Sequence, residues 1–253
     1  SVGPVAQADA AEVADGDIDA IPDADDASRR AARLVRTALR TLVDTIDTHV
    51  DELGRMDSVA GDGDHGIGMQ RGSHAALAAA TNAVTAGAGA RTTLERAADA
   101  WSDRAGGTSG ALWGVILSSI ATELGDAGAP EPTAVARRVD AAARGVMAYG
   151  KAEVGDKTLV DALVPFAETL TAQVASRDLA AAWTAAAKAS TEAAAATADL
   201  LPRMGRARTH GEHSAGTPDP GAHSLADRQR GGRDARRSDP RGELTCPTPH
   251  RCA

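Results

Sequence analysis

Three aspartates crowd a glycine-rich stretch between residues 57 and 66, and this is where the sequence most clearly indicates chemistry. The run Asp57-Ser-Val-Ala-Gly-Asp-Gly-Asp-His-Gly66 places Asp57, Asp62 and Asp64 among three glycines. Glycine lets a backbone turn tightly enough to aim several side chains at one point. Hard carboxylate oxygens suit Mg²⁺, which usually shares its coordination shell with substrate phosphates. The pattern therefore predicts a magnesium and phosphate site, and the alternative is a solvated acidic turn that caps the next helix.

Three other loops could contact phosphates. The run Gly106-Gly-Thr-Ser-Gly110 leads directly into an apolar helical pattern, and N–H groups at a helix start bind anions. Gly155-Asp-Lys-Thr158 brings a lysine to another helix start, although a surface lysine in a capped turn is the favoured interpretation of Lys157 alone. Arg206 is a candidate phosphate clamp because guanidinium pairs bidentately with phosphate oxygens. The later Asp219-Pro-Gly221 run is also typical of an ordinary turn.

The elements between these loops are predicted to be helical. Apolar residues recur at three-to-four spacing from Ser28 to Leu53, and no window alternates strictly, so no sheet is expected. Thr92, Ser109 and Thr158 are predicted helix caps. An all-α domain with antiparallel packing follows, and its later helices are expected at about 67–86, 93–104, 110–124, 134–149, 159–176 and 179–200.

Composition divides the chain and excludes several function classes. Residues 1–28 contain eight acids and no base, which predicts a disordered acidic linker that follows another domain. Residues 29–223 form the predicted helical domain, and residues 224–253, rich in Arg, Gly and Pro, a disordered tail. No basic face with interleaved aromatics exists, so nucleic acid is not an expected partner. No membrane span or signal peptide is apparent, and both cysteines lie near the end, so a cytoplasmic protein is expected.

Taken in order, these loops resemble the L domain of dihydroxyacetone kinases, which holds the nucleotide. The matching runs are DSVAGDGDHGIGMQRG at 57–72, GGTSGALWG at 106–114, GKAEVGDKTLVDAL at 150–163 and GRARTHGEHSAGTPDPGA at 205–222. The resemblance implies a closed barrel of eight antiparallel helices that binds ATP or ADP at one end. It also implies a small ketose, such as dihydroxyacetone (glycerone) or erythrulose, bound covalently to a histidine of a partner K domain, and a possible homodimer.

The resemblance also assigns roles to individual residues. Two Mg²⁺ ions would be held by Asp57, Asp62 and Asp64, which with Arg206 would form the catalytic set. The residues that would contact phosphates are His65, Gly66, Ile67, Gly68, Thr108 and Ser109. Gly150 and Leu159 would lie beside the adenine, and Arg206 with Asp219, Gly221 and Ala222 would close the site.

Two departures from the family pattern affect these expectations. Gly68 stands where many relatives carry asparagine, which puts one phosphate contact in question. The final barrel helix is expected to be missing or altered, because residues 224–253 hold only Leu225 and Leu244 as large apolar side chains. The function predicted is phosphoryl transfer from ATP to a ketose hydroxyl. Three alternatives stay open: an ADP-carrying L subunit of the phosphotransferase-system type, a nucleotide domain of the fatty-acid-kinase type, and a defective fragment.

Overall fold

A bundle of eight α-helices makes up the part of the chain that the structure describes. The structure is a computed structural model, and it describes residues 20–204, 208, 211 and 213–230, with no side-chain detail for 227–230. The helices are α1 (Asp26–Asp57), α2 (His65–Thr85), α3 (Ala90–Ala105), α4 (Gly107–Leu124), α5 (Pro132–Gly150), α6 (Val160–Val174), α7 (Leu179–Ala196) and α8 (Pro220–Arg230), with a 3₁₀ turn at Thr197–Asp199. Within those residues no strand occurs, so the all-α prediction is confirmed.

The helices form a closed ring. Each packs against the next in sequence, and α8 returns to pack against α1. Because successive helices alternate in direction, the loops fall into two sets. The loops after α1, α3, α5 and α7 meet at one end, and those after α2, α4 and α6 meet at the other. None of the described helices is both long enough and apolar enough to span a bilayer.

The interior is built from alanine and a few large side chains. Trp101 on α3 and Trp113 on α4 lie with ring centroids 5.4 Å apart, and Phe166 meets Trp183 edge-on at 4.9 Å. Such aromatic pairs add to the free energy gained by burying their area. Small residues let the helices approach closely, since a Cβ on Gly72 would lie 2.9 Å from the Trp101 ring.

The expectation of a missing final helix is wrong. Helix α8 extends from Pro220 to Arg230, and Leu225 is only 2% exposed, with Ala222 and Ala226 buried beside it. The sequence misleads because a single large apolar side chain in an 11-residue helix looks too few to bury it. In this alanine-rich ring, small residues flanking a single leucine fill the available space. The predicted boundary at 223/224 therefore falls inside a helix, while residues 231–253 lie outside the described part.

Several predicted helix starts are also corrected. Helix α1 begins at Asp26, with the Asp25 carboxylate accepting the Ser28 N–H at 2.8 Å. Thr92 lies inside the first turn of α3 rather than capping it, because both its N–H and its hydroxyl donate to Asp126. Ser109 lies inside α4, which begins after Gly106 at φ +67°. A local cap therefore sets the start of α1, a contact distant in sequence involves Thr92, and a glycine sets the start of α4.

Candidate functional site

The three aspartates of the α1–α2 loop converge. Asp57 ends α1 and Asp64 precedes α2, so the ends of two antiparallel helices bring them together. One carboxylate oxygen from each of Asp57, Asp62 and Asp64 lies within 4.8 Å of the others. Asp57 is half-buried and accepts the His65 N–H at 3.4 Å, whereas Asp62 and Asp64 are exposed. The loop is thus a ready cluster of hard oxygen ligands.

Glycines allow this loop to fold against its neighbours. A Cβ on Gly61 would overlap the Asp57 carboxylate, and one on Gly66 would overlap the Val50 carbonyl oxygen of α1. A Cβ on Gly68 would stand 3.0 Å from the Ala105 carbonyl oxygen at the end of α3. Gly66 and Gly68 therefore set how closely α2 packs to α1 and α3, which is a physical reason for glycine at position 68.

A cavity of about 860 Å³ opens beside the carboxylates, within the size range of small-ligand sites. Its polar wall includes Thr108 and Ser109 from the first turn of α4, whose N–H groups have no helical partners. Its apolar wall comes from α4, α5, α6 and the loop between α5 and α6, and it includes Leu112, Val146, Ala152, Leu159 and Val160. An elongated ligand with an anionic end and an apolar end matches these two walls.

Most of the predicted site residues line this cavity, and some do not. Those that line it are Asp57, Asp64, His65, Gly68, Thr108, Ser109, Gly150, Leu159, Asp219 and Gly221. Asp62 is in the carboxylate cluster but not in the wall. Gly66 packs against α1, Ile67 is 48% exposed, and Ala222 is fully buried with its N–H donated to Asp219. Arg206 lies outside the described residues.

Lys157 is the wall residue that the sequence interpretation misplaced. The sequence context of Lys157 favours a surface side chain, but the side chain is 5% exposed and lines the cavity. Its ammonium donates to the carbonyl oxygens of Leu200 at 3.0 Å and Ser214 at 2.8 Å. Burial lowers the pKa of Lys157, and the charges of Asp219 and Asp199 act against that shift. The sequence feature that could have identified Lys157 as a site residue is its position between a glycine turn and the start of a helix.

The part of the cavity wall that contains Asp219 is hydrogen-bonded to the first turn of α8. Asp219 accepts the Ala222 N–H at 2.7 Å, and its own N–H donates to the Thr197 hydroxyl at 2.8 Å. His65 and Ser224 lie within hydrogen-bond distance at 3.1 Å, so the aspartate loop is joined directly to α8. The helix that the sequence interpretation expected to be missing therefore supports the site.

The comparisons with known proteins identify the family of this chain. The family model described as the DAK2 domain matches residues 59–227. The chain belongs to the DAK2-domain family. The domain is 53% identical to an L-erythrulose kinase of Pectobacterium atrosepticum, covering 83% of this chain and 36% of that protein. It is 48% identical to a D-erythrulose kinase of Mycolicibacterium smegmatis, covering 80% and 35%.

Two further relatives bear on length and fold. The ADP-binding subunit DhaL of a PEP-dependent dihydroxyacetone kinase from Listeria innocua is 30% identical, covering 71% of this chain and 83% of that subunit. The crystal structure of the dihydroxyacetone kinase from C. freundii in complex with AMP-PNP and Mg²⁺ aligns at TM-score 0.61 and 22% identity, covering 91% and 37%. The DAK2 domain described here thus spans about a third of the erythrulose kinases it matches and most of the DhaL subunit.

Proposed function

We propose that this DAK2 domain is the nucleotide-binding part of a small-ketose kinase that transfers the γ-phosphate of ATP to a ketose hydroxyl. The observation that supports this best is the convergence of Asp57, Asp62 and Asp64, within 4.8 Å, at the edge of a cavity of about 860 Å³. A solvated acidic turn is the alternative, and the cavity beside the carboxylates favours a ligand site over it. The erythrulose kinases among its relatives indicate the substrate class.

The carboxylates fit Mg²⁺. At Mg–O distances of about 2.1 Å, two oxygens of one ion stand at most about 4.2 Å apart. Carboxylate oxygens that already lie within 4.8 Å of one another could hold Mg²⁺ after small side-chain rotations. We propose two ions held by Asp57, Asp62 and Asp64. When bound, they would neutralise charge on the nucleotide phosphates.

The remaining walls accommodate the rest of ATP. Thr108 and Ser109 offer hydroxyl and N–H donors to phosphate oxygens at the start of α4. Gly150 and Leu159 lie in the apolar wall, where a flat base would be sheltered from water. Asp219 and Gly221 border the opening, and Arg206 would close it by pairing with phosphate. Phosphoryl transfer relies mostly on such positioning and charge neutralisation.

A second domain would supply the acceptor. The erythrulose kinase relatives are about three times as long as the matched region, and we propose that a K domain binds the ketose and presents it at the cavity mouth. The free-ATP kinase is preferred over an ADP-carrying subunit because identity is 53% and 48% to the erythrulose kinases against 30% to the DhaL subunit. The buried α8 counts against a defective fragment.

An exchange experiment tests the proposal. The chain is loaded with labelled ADP and Mg²⁺ and then diluted into unlabelled ATP, and release is followed on a filter. A free-ATP kinase should release the label within seconds to minutes, whereas a carrier subunit should retain it. Adding a K domain from an erythrulose kinase should then give ketose phosphorylation that neither part shows alone. Failure to bind Mg-nucleotide at all would refute the proposal.

A further inference from the structure

The buried lysine of the α5–α6 loop has no role in the function proposed above. Lys157 adopts a left-handed backbone conformation at φ +60°, which is uncommon for a residue with a side chain and persists only where its surroundings enforce it. Asp161 provides that enforcement. Its two carboxylate oxygens accept the N–H groups of Gly155 at 2.6 Å and Thr158 at 2.7 Å, on either side of Lys157. The lysine is therefore held in a fixed turn.

The ammonium of Lys157 joins two points that are far apart in the chain. It donates to the carbonyl oxygens of Leu200 and Ser214, which bracket the segment that contains Arg206. Two other contacts join the bases of the same segment, since Gly216 N–H donates to the Ala198 carbonyl oxygen at 3.0 Å and Arg203 N–H to that of Asp156 at 3.1 Å. Lys157 is the only charged side chain among these donors, and hydrogen bonds from charged groups are the stronger ones.

The described residues around these two anchor points line the cavity. Met204, Ser214, Thr217 and Asp219 all contribute to the wall. A lysine 5% exposed beneath that wall gives up two of its three N–H donors to backbone carbonyls, so it is poorly placed to serve as a phosphate ligand. Its charge instead secures this part of the cavity wall.

We propose that Lys157 is a positioning residue that fastens Leu200 and Ser214, and that it raises nucleotide affinity by preorganising the cavity wall beside them without touching the phosphates. The affinity half of this inference rests on the proposed function, whereas the fastening itself does not. Removing two charged hydrogen bonds should lower the equilibrium constant for the fastened arrangement of Leu200 and Ser214 by about tenfold to a hundredfold.

Trypsin provides a direct test because Arg203 and Arg208 lie between Leu200 and Ser214 in the sequence. In nucleotide-free chain, Lys157→Met should speed cleavage after these arginines roughly tenfold or more, and calorimetry should show a Mg-ADP dissociation constant weakened by a similar factor. Lys157→Arg keeps the charge and the donors, so it should restore most of both. The matched control is Lys188→Met on α7, where an exposed lysine pairs with Glu192; it should change neither.

Each outcome decides the inference. Unchanged cleavage in folded Lys157→Met overturns the fastening, and weaker binding without faster cleavage would instead show Lys157 to be a direct phosphate ligand. Faster cleavage with unchanged affinity overturns the positioning role. If the parent chain binds no Mg-nucleotide, the proposed function fails while cleavage still reports on the fastening. Should Lys157→Met not fold, hydrogen exchange of the parent chain decides, because rapid exchange at Gly216 and Asp219 without nucleotide would contradict a fastened base.

Discussion

The aspartates at one end of the barrel and the three aspartates of the α1–α2 loop at the other end are used in opposite ways. At the end formed by the loops after α2, α4 and α6, aspartate carboxylates accept hydrogen bonds from backbone N–H groups. Asp25 accepts from Ser28 and Gly128, Asp126 from Thr92, and Asp178 from Ala181. At the other end, Asp57, Asp62 and Asp64 crowd within 4.8 Å of one another beside a cavity.

This difference separates stability from binding. A carboxylate that caps a helix lowers the free energy of the fold, since it satisfies N–H groups that have no helical partner. Carboxylates that converge repel one another and raise it. Hydrogen bonds at the other end offset this cost, and they include Ser28 donating to the Gly125 carbonyl oxygen and accepting the Ala90 N–H. Variants at the two ends should therefore fail in different assays.

The largest expected effect is on binding at the crowded end. Asp62→Asn should weaken Mg-ADP binding by more than about a hundredfold, because even the loss of a group that only supports a metal ligand costs 10–100-fold. The melting temperature without metal should stay the same or rise, because one repelling charge is gone. Calorimetry and thermal unfolding measure the two quantities.

The matched control for that variant lies at the other end. Asp126→Asn should leave Mg-ADP affinity unchanged and lower the unfolding free energy by about 1.5–3 kcal/mol, because a charged acceptor of two hydrogen bonds is lost. If Asp62→Asn bound Mg-ADP normally, the metal assignment would be withdrawn. If both variants behaved alike, the contrast between the ends would not hold.

The next largest effect concerns packing beneath the cluster. Gly66→Ala places a Cβ on the Val50 carbonyl oxygen, so α2 must shift from α1, at a cost of about 2–3 kcal/mol of unfolding free energy. Gly145→Ala is the control, because its Cβ would meet only Val115 at an ordinary 3.6 Å. That variant should gain about 0.5–1 kcal/mol, since glycine is a poor helix former. Denaturant titration of both variants distinguishes close packing from a general intolerance of substitution.

The sequence indicated the helices and the aspartate loop because both are local patterns. Spacing along α1 predicts its buried face, and glycines beside Asp57, Asp62 and Asp64 predict their tight loop. The sequence could not show that Asp126 would bond to Thr92 across 34 residues, or that Lys157 would meet Leu200 and Ser214. Such contacts depend on how the ring closes, and no local spacing encodes them.

Helix α8 offers a third prediction, on the closure of the ring. Leu225→Ala should lower the unfolding free energy by about 2 kcal/mol, at the low end for buried leucine because a short helix can partly collapse into the space. Leu34→Ala on α1, where the side chain is 71% exposed, should change it by less than about 0.5 kcal/mol. Rapid hydrogen exchange across residues 221–226 in the parent chain would contradict the closed ring and favour an altered final helix.

The smallest expected effect is a pH dependence located at the cavity wall. Removal from water raises the pKa of Asp219 to about 7 from its usual 3.8; Asp161 adds to the rise, while the Ala222 N–H and the Lys157 ammonium oppose it. The folded chain therefore binds more protons than the unfolded chain between about pH 4 and 7. Stability should fall as pH rises through that window and level off above it.

Asp219→Asn isolates this contribution, because asparagine keeps an oxygen to accept the Ala222 N–H but cannot ionise. The parent chain should lose about 1–2 kcal/mol more than the variant between pH 5 and 7.5, a figure reduced from the full linkage value because the residue is only half-buried. Urea midpoints at the two pH values give this difference in stability loss. The contributions of the other carboxylates cancel because these groups titrate in both proteins. Parallel pH profiles would mean that Asp219 is ionised throughout, so that the wall beside the nucleotide is as well hydrated as the aspartate loop opposite.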